Sequence, residues 1–239
     1  MSSRIYFTFP VTILKEAMND IRKTCDDIMN YCGYVASKKY SGTIKEKMEK
    51  AGNDLGIIYN GWENSYNKGQ EIANNTPKRT PMTSINHDIV FDFYDNHKSE
   101  FEIVTFLAFA GIRSILQMKP YTRITNDYLF ARMAGYPSTT EIVTLPGYEP
   151  KELPVVLPAL IDKYNTRFKL DKIKKELQNN WHMKLYGIHT HGFYVSFKLS
   201  LNQLVKVVEA KRKRNQEAKR KAEIQQALFE FETEIKTTT

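Results

Sequence analysis

Two hydrophobic periods alternate along the chain, and the helical one dominates. From Val11 to about Lys39 the apolar positions Leu14, Met18, Ile21, Cys25, Ile28 and Cys32 recur every three or four residues, which predicts an amphipathic helix. Ser41-Gly42 breaks the pattern, and Thr43 is placed to cap a second helix over TIKEKMEKAGNDLG. A weaker helical stretch follows in GWENSYNKGQEIANN. Segment 101–117, FEIVTFLAFAGIRSILQ, is apolar on nearly all sides and is expected at the buried centre of a domain. Thr125 then caps a helix with Asp127 in its first turn and Gly135 at its end. Over 166–180, Leu170, Ile173, Leu177 and Trp181 share one face, while Lys172, Lys175 and Asn179 point the opposite way. Ser200 caps a long last helix that runs to about residue 236.

The two-residue period is rarer. IYFTFP (5–10) alternates and ends at Pro10, as a short edge strand or an extended lead-in does. WHMKLYGIHTHGFYVSFKLS (181–200) reads as a hairpin, with Phe193, Val195, Phe197 and Leu199 alternating with Tyr194, Ser196 and Lys198. IVFDFY, within HDIVFDFYDNHKSE, fits either a strand or a helical turn. NNTPKRTPMTS (74–84) reads as a loop, and 136–158 as an extended insert rich in Pro, Gly and Thr, with a helix starting near Pro158. The expected fold class is mainly α. A helical domain occupies 1–97, a unit with one β-hairpin 98–200, and a long basic helix 201–239.

Composition bounds the class of protein. A chain of 239 residues, 41% hydrophobic and 26% charged, is an ordinary globular sequence large enough for one full core or two small ones. No run approaches the length of a membrane span. MSSRIYFTFPVTILKEAM lacks an apolar segment followed by a small-residue cleavage site, so a cytoplasmic location is expected. The two cysteines, Cys25 and Cys32, lie seven apart on one helical stripe, roughly 10 Å from each other. That separation rules out a disulfide along an intact helix and marks both as small core residues.

Charge changes the picture more. The net charge is +8. Residues 1–150 hold 17 Lys+Arg against 17 Asp+Glu, whereas 151–200 hold 9 against 4 and 211–221, KRKRNQEAKRK, hold 7 against 1. The excess positive charge is therefore confined to the hairpin region and the helix after it, which favours a polyanionic partner.

Helix 101–117, helix 125–135, helix 166–180 and hairpin 183–199, in that order, resemble the winged helix-turn-helix superfamily of DNA-binding domains. Ala131 precedes Gly135 by four, with Phe130, Ala134 and Tyr136 apolar around them. A small residue there lets two helices approach closely, and a glycine makes the turn. The resemblance covers about 100 residues. It implies that 166–180 is a recognition helix in the major groove, with Lys172, Lys175 and Asn179 facing DNA and Arg167, Lys169 and Gln178 at the margins. It also implies that the wing turn His189-Thr190-His191-Gly192 reaches phosphates or the adjacent minor groove. The chain departs from the superfamily in one respect. Roughly 30 residues separate Gly135 from the recognition helix, where a few are usual. Ser138-Thr139-Thr140-Glu141 is a capping box that starts an alternative recognition helix over 138–145, with the usual spacing but almost no basic charge. Charge favours 166–180.

Within 211–221, Lys211, Arg212, Lys213 and Arg214 are candidate phosphate contacts. The competing view is a solvated helix supported by Glu209 with Lys213 and Glu217 with Lys221. Beyond it, Ile224, Leu228 and Phe231 form a stripe that docks either on the body or on a second protomer, making a homodimer. The expected function is non-catalytic binding of double-stranded DNA without a cofactor, as a transcription regulator or a replication or partition factor of a mobile element. The first alternative is an oligomeric helical scaffold. The second is a metal-dependent DNA-nicking enzyme using His182, His189 and His191 with a tyrosine, although no Cys or carboxylate in 182–200 completes a metal set. Phosphate-binding glycine loops, Gly-x-Ser-x-Gly and HExxH are all absent.

Overall fold

The computed structural model describes residues 4–137, 156–187 and 192–237. It is mainly helical, with two small antiparallel sheets and a long C-terminal helix. Strand β1 (Tyr6–Pro10) pairs with β2 (Met82–Asn86) in the register Tyr6 to Asn86 through Pro10 to Met82. Phe7 and Phe9 from β1 and Ile85 from β2 are fully buried. β2 begins within the stretch 74–84 read as a loop and runs two residues past it. Its side chains are mostly short and polar, so the alternation of buried Thr83 and Ile85 with Met82, Ser84 and Asn86 carries almost no signal until β1 supplies the partner.

The helix expected from Val11 to Lys39 is broken in two. A 3-10 helix spans Val11–Glu16 and α1 spans Ile21–Ser37. The break falls at Asn19-Asp20, where Asp20 is extended and its carboxylate accepts from the Lys23 amide at 2.8 Å. Short polar side chains of this kind compete with the helix for its own amides. The apolar stripe survives the break: Cys25 and Cys32 are buried, and burial pushes both thiols up to about 12. α2 (Ile44–Leu55) opens on a capping box of Thr43 with Glu46 and ends at left-handed Gly56; α3 (Trp62–Asn75) packs on α1. IVFDFY resolves as helix, within α4 (His87–Asp95), with Val90 and Phe93 turned inward.

α5 (Glu100–Leu116) is the central element, opened by a Ser99–Glu102 capping box and buried on nearly every side. It serves both halves of the chain. Toward the N-terminal half, its Phe106 ring lies 4.6 Å from Phe93, and the Thr83 hydroxyl donates to the Ala110 carbonyl at 2.8 Å. Toward the C-terminal half, Phe109 stacks on Trp181 at 4.4 Å and meets Phe197 edge-on at 5.3 Å. The buried apolar cluster is thus continuous across residue 97.

After α5 come β3 (Thr122–Ile124), α6 (Asn126–Met133), α7 (Val156–Tyr164), α8 (Arg167–Asn180), β4 (Lys184–Gly187), β5 (Phe193–Ser196) and α9 (Leu201–Thr237). The hairpin β4–β5 is joined by β3 into one three-stranded sheet of order β3-β5-β4. Three-residue β3 pairs Ile124 with Phe193 and Thr122 with Val195. α6 is capped by Thr125 and lies close along α5, where a Cβ at Gly111 would stand 3.2 Å from the Arg132 Cβ. Gly135 ends the turn at φ +81 against the 3-10 helix, 3.0 Å from the Val11 carbonyl if a Cβ were added, so both backbone angle and space require glycine. The rival capping box at 138–141 and the wing turn at 189–191 lie outside the described residues.

Candidate nucleic-acid interface

α8 is fixed at both ends. The Thr166 hydroxyl caps the Lys169 amide at its start. At its end the amides of Trp181 and Met183 both donate to the Leu177 carbonyl, with His182 in the left-handed region at φ +56. Leu170, Ile173 and Leu177 bury one face against α5 and the sheet. α7 enters α8 through only Asn165 and Thr166, and it is tied to the start of α5. There Glu100 accepts from the Lys163 ammonium at 2.6 Å and the Tyr164 hydroxyl at 2.8 Å. The Lys163 bond, then that of Tyr164, holds the Glu100 carboxyl below its usual range. Burial, then Glu100, pushes the Tyr164 hydroxyl up to about 12.

The opposite face of α8 is open to solvent, and its cations fall into three groups. Arg167 and Lys175 are exposed, Arg167 with a long contact of 4.0 Å to Asp171. Gln178 and Asn179 are exposed beside them. Lys169 and Lys172 are exposed too, but their amino groups lean back on the body. Lys169 donates to the Lys163 carbonyl at 2.6 Å, and Lys172 sits 4.4 Å over the Phe101 ring. Lys174 goes the other way. It is half-buried, 4.4 Å over the Phe193 ring at the base of the hairpin, and burial lowers its pKa. Lys174 thus joins α8 to β5, a role invisible in the helical pattern because its cross-chain partner lies 19 residues on. Phe168 is the second residue that pattern reading passes over. It stands 80% exposed on the same face as Lys172, Lys175 and Asn179. Its signal in the sequence was an aromatic residue lying off the Leu170–Ile173–Leu177 stripe.

The hairpin is held on the same body as α8. Gly192 sits at φ +114 where a Cβ would come within 2.4 Å of the Ile124 carbonyl, so β5 can approach β3 only with glycine there. Fully buried Ser196 donates to the Pro120 carbonyl at 2.6 Å and accepts from the amides of Lys198 and Leu199. These bonds close β5 against the segment before β3 and turn the chain toward α9. α9 opens with Ser200 and Gln203 exchanging hydrogen bonds, and it packs on β4 and β5 with Leu204 and Val208 buried. The Tyr186 hydroxyl of β4 donates to Glu209 at 2.7 Å, and Arg212 donates to the same carboxylate at 2.9 Å. The Tyr186 bond, then Arg212, holds the Glu209 carboxyl below its usual range.

Arg212 therefore differs from its neighbours: it is ion-paired with Glu209, one turn back on α9, whose carboxylate also accepts the Tyr186 hydroxyl of the hairpin. Lys211, Lys213 and Arg214 are exposed, as is every residue from Lys213 to Ala222. His182 is exposed at the end of α8, while His189 and His191 lie outside the described residues. Among the described residues no three His, Cys, Asp or Glu side chains gather as a metal-binding group, and no helix is long and apolar enough to cross a membrane. In the N-terminal half an open groove between α1, α4 and loop 56–61 is lined by Asn30, Tyr59, Asn64, Phe91 and Tyr94. Comparison with known protein families, curated proteins and solved structures finds no match for this chain.

Proposed function

We propose that residues 98–200 act as a winged helix-turn-helix unit that binds double-stranded DNA without catalysis, with α8 as the recognition helix. The observation that carries this reading is the outer face of α8. It presents Arg167, Lys172, Lys175, Gln178 and Asn179 on a helix packed on α5 and directly followed by a hairpin. Cations on such a face bind phosphates, and amides read base edges. The three-stranded sheet supports the same reading, because β3 pairs with β5 and Lys174 of α8 lies over the Phe193 ring of the hairpin. Lys211, Lys213 and Arg214 extend the positive surface along α9. A cytoplasmic transcription regulator, or a replication or partition factor of a mobile element, is the setting this binding mode suits.

The test is fluorescence anisotropy with a random duplex of about 30 base pairs, titrated at several salt concentrations. Binding that weakens steeply with salt is expected. No binding at low salt overturns the reading.

A second reading rests on α9 alone. Among the side chains of α9 that are described, the buried ones, Leu204 and Val208, lie in its first turns, and the helix continues to Thr237. In that reading α9 is the surface of an oligomeric scaffold or homodimer. The lysines are then only solvated, and truncation at residue 222 changes the mass in solution and nothing else.

A further inference from the structure

We infer that Phe168 reads thymine: its ring packs against the 5-methyl group of thymine in the major groove and gives the protein a preference for T-containing sites. The inference rests on α8 being the recognition helix. A single exposed apolar side chain is normal on a protein surface and by itself means nothing. Three features set Phe168 apart. It is 80% exposed, and among the described residues no aromatic ring stacks on it. It is the second residue of α8, and the first turns of a recognition helix are the part that meets base edges. It also shares its face with cations rather than with apolar residues, since Arg167 adjoins it and Lys172 and Lys175 lie one and two turns on.

Charge decides the kind of partner. α8 exposes four cationic side chains (Arg167, Lys169, Lys172, Lys175) against the exposed carboxylate Asp171. An apolar protein groove would take these cations out of water without counter-charges, whereas a DNA groove surrounds a base edge with phosphates. In the major groove the apolar feature that a phenyl ring can meet is the thymine methyl, and Phe is a residue type that meets it. Wedging between base steps is the other use of an apolar side chain on DNA. It belongs to the minor groove, and it is indifferent to the methyl.

The experiment uses the full chain. A duplex is selected by the protein from a random pool, then remade with deoxyuridine in place of every thymine, which removes only the 5-methyl groups. Wild type is expected to bind the deoxyuridine duplex about four-fold more weakly for each contacted thymine, the worth of one buried methyl. Phe168→Ala is expected to bind both duplexes equally and to keep the salt slope of wild type. Far-ultraviolet circular dichroism of the variant should match wild type, because the side chain is exposed. The inference is overturned if wild type is insensitive to the methyl groups, if Phe168→Ala stays as sensitive as wild type, or if salt-dependent binding selects no sequence. Failure of both proteins to bind any duplex refutes the DNA reading itself and is distinct from all three.

Discussion

Lys175 gives the sharpest quantitative test of the candidate interface. It is exposed on the outer face of α8, whereas Lys169 and Lys172 on the same helix lean on the Lys163 carbonyl and the Phe101 ring. Replacing it with Gln removes one charge and leaves the buried face of Leu170, Ile173 and Leu177 intact. The exposed cations of α8 and the start of α9, with ion-paired Arg212 left out, are Arg167, Lys169, Lys172, Lys175, Lys211, Lys213 and Arg214. If all of them meet phosphates, the slope of log affinity against log salt is about −6, at about 0.9 for each contact. Lys175→Gln should make the slope shallower by about 0.9, and between roughly 50 and 200 mM salt the variant should lose about 3.5-fold less affinity than wild type. The control is Lys45→Gln on α2, a cation of the N-terminal half paired with Glu49. Its slope should equal that of wild type. An unchanged slope in Lys175→Gln, or an equal change in Lys45→Gln, would refute phosphate contact by this face and leave only diffuse charge attraction.

Two further predictions concern the body that carries α8. Gly192→Ala forces a Cβ toward the Ile124 carbonyl at a backbone angle L-residues rarely adopt, and should cost about 1–3 kcal/mol in urea unfolding; an unchanged midpoint would show that β3 and β5 separate freely. The Glu100 carboxyl is held below its unfolded value by Lys163 and Tyr164, so its contribution is present above about pH 4.5 and is lost as pH falls through the lower folded value. The stability difference between wild type and Glu100→Gln should therefore shrink between neutral pH and about pH 3, and a constant difference would mean that Glu100 does not hold α7 through its charge.

Local chemistry made much of the chain legible. The caps Thr43, Thr125 and Ser200 act on amides three residues away, so they can be read without knowing the fold. The same is true of the stripe Leu170–Ile173–Leu177, because a helix brings its own side chains to one face whatever lies opposite. β2 and β3 were beyond reach for the converse reason. Three to five residues with short or mixed side chains become strands only when a partner distant in sequence supplies the other half of each hydrogen bond, as β1 and β5 do here.

Sequence by itself determined the mainly helical class, the hairpin, the long last helix and the stretch of chain in which positive charge collects. Tertiary structure decided what each charged or aromatic side chain is free to do. Glu209 was one acid beside a basic run until the Tyr186 hydroxyl of the hairpin donated to it, and Lys174 was one lysine among several on α8 until Phe193 covered it. Phe168 became notable only because nothing covers it. Periodicity assigns a residue to a face of its own helix. Whether that face meets solvent, a ring or a counter-charge depends on elements far along the chain, and only their packing reveals it.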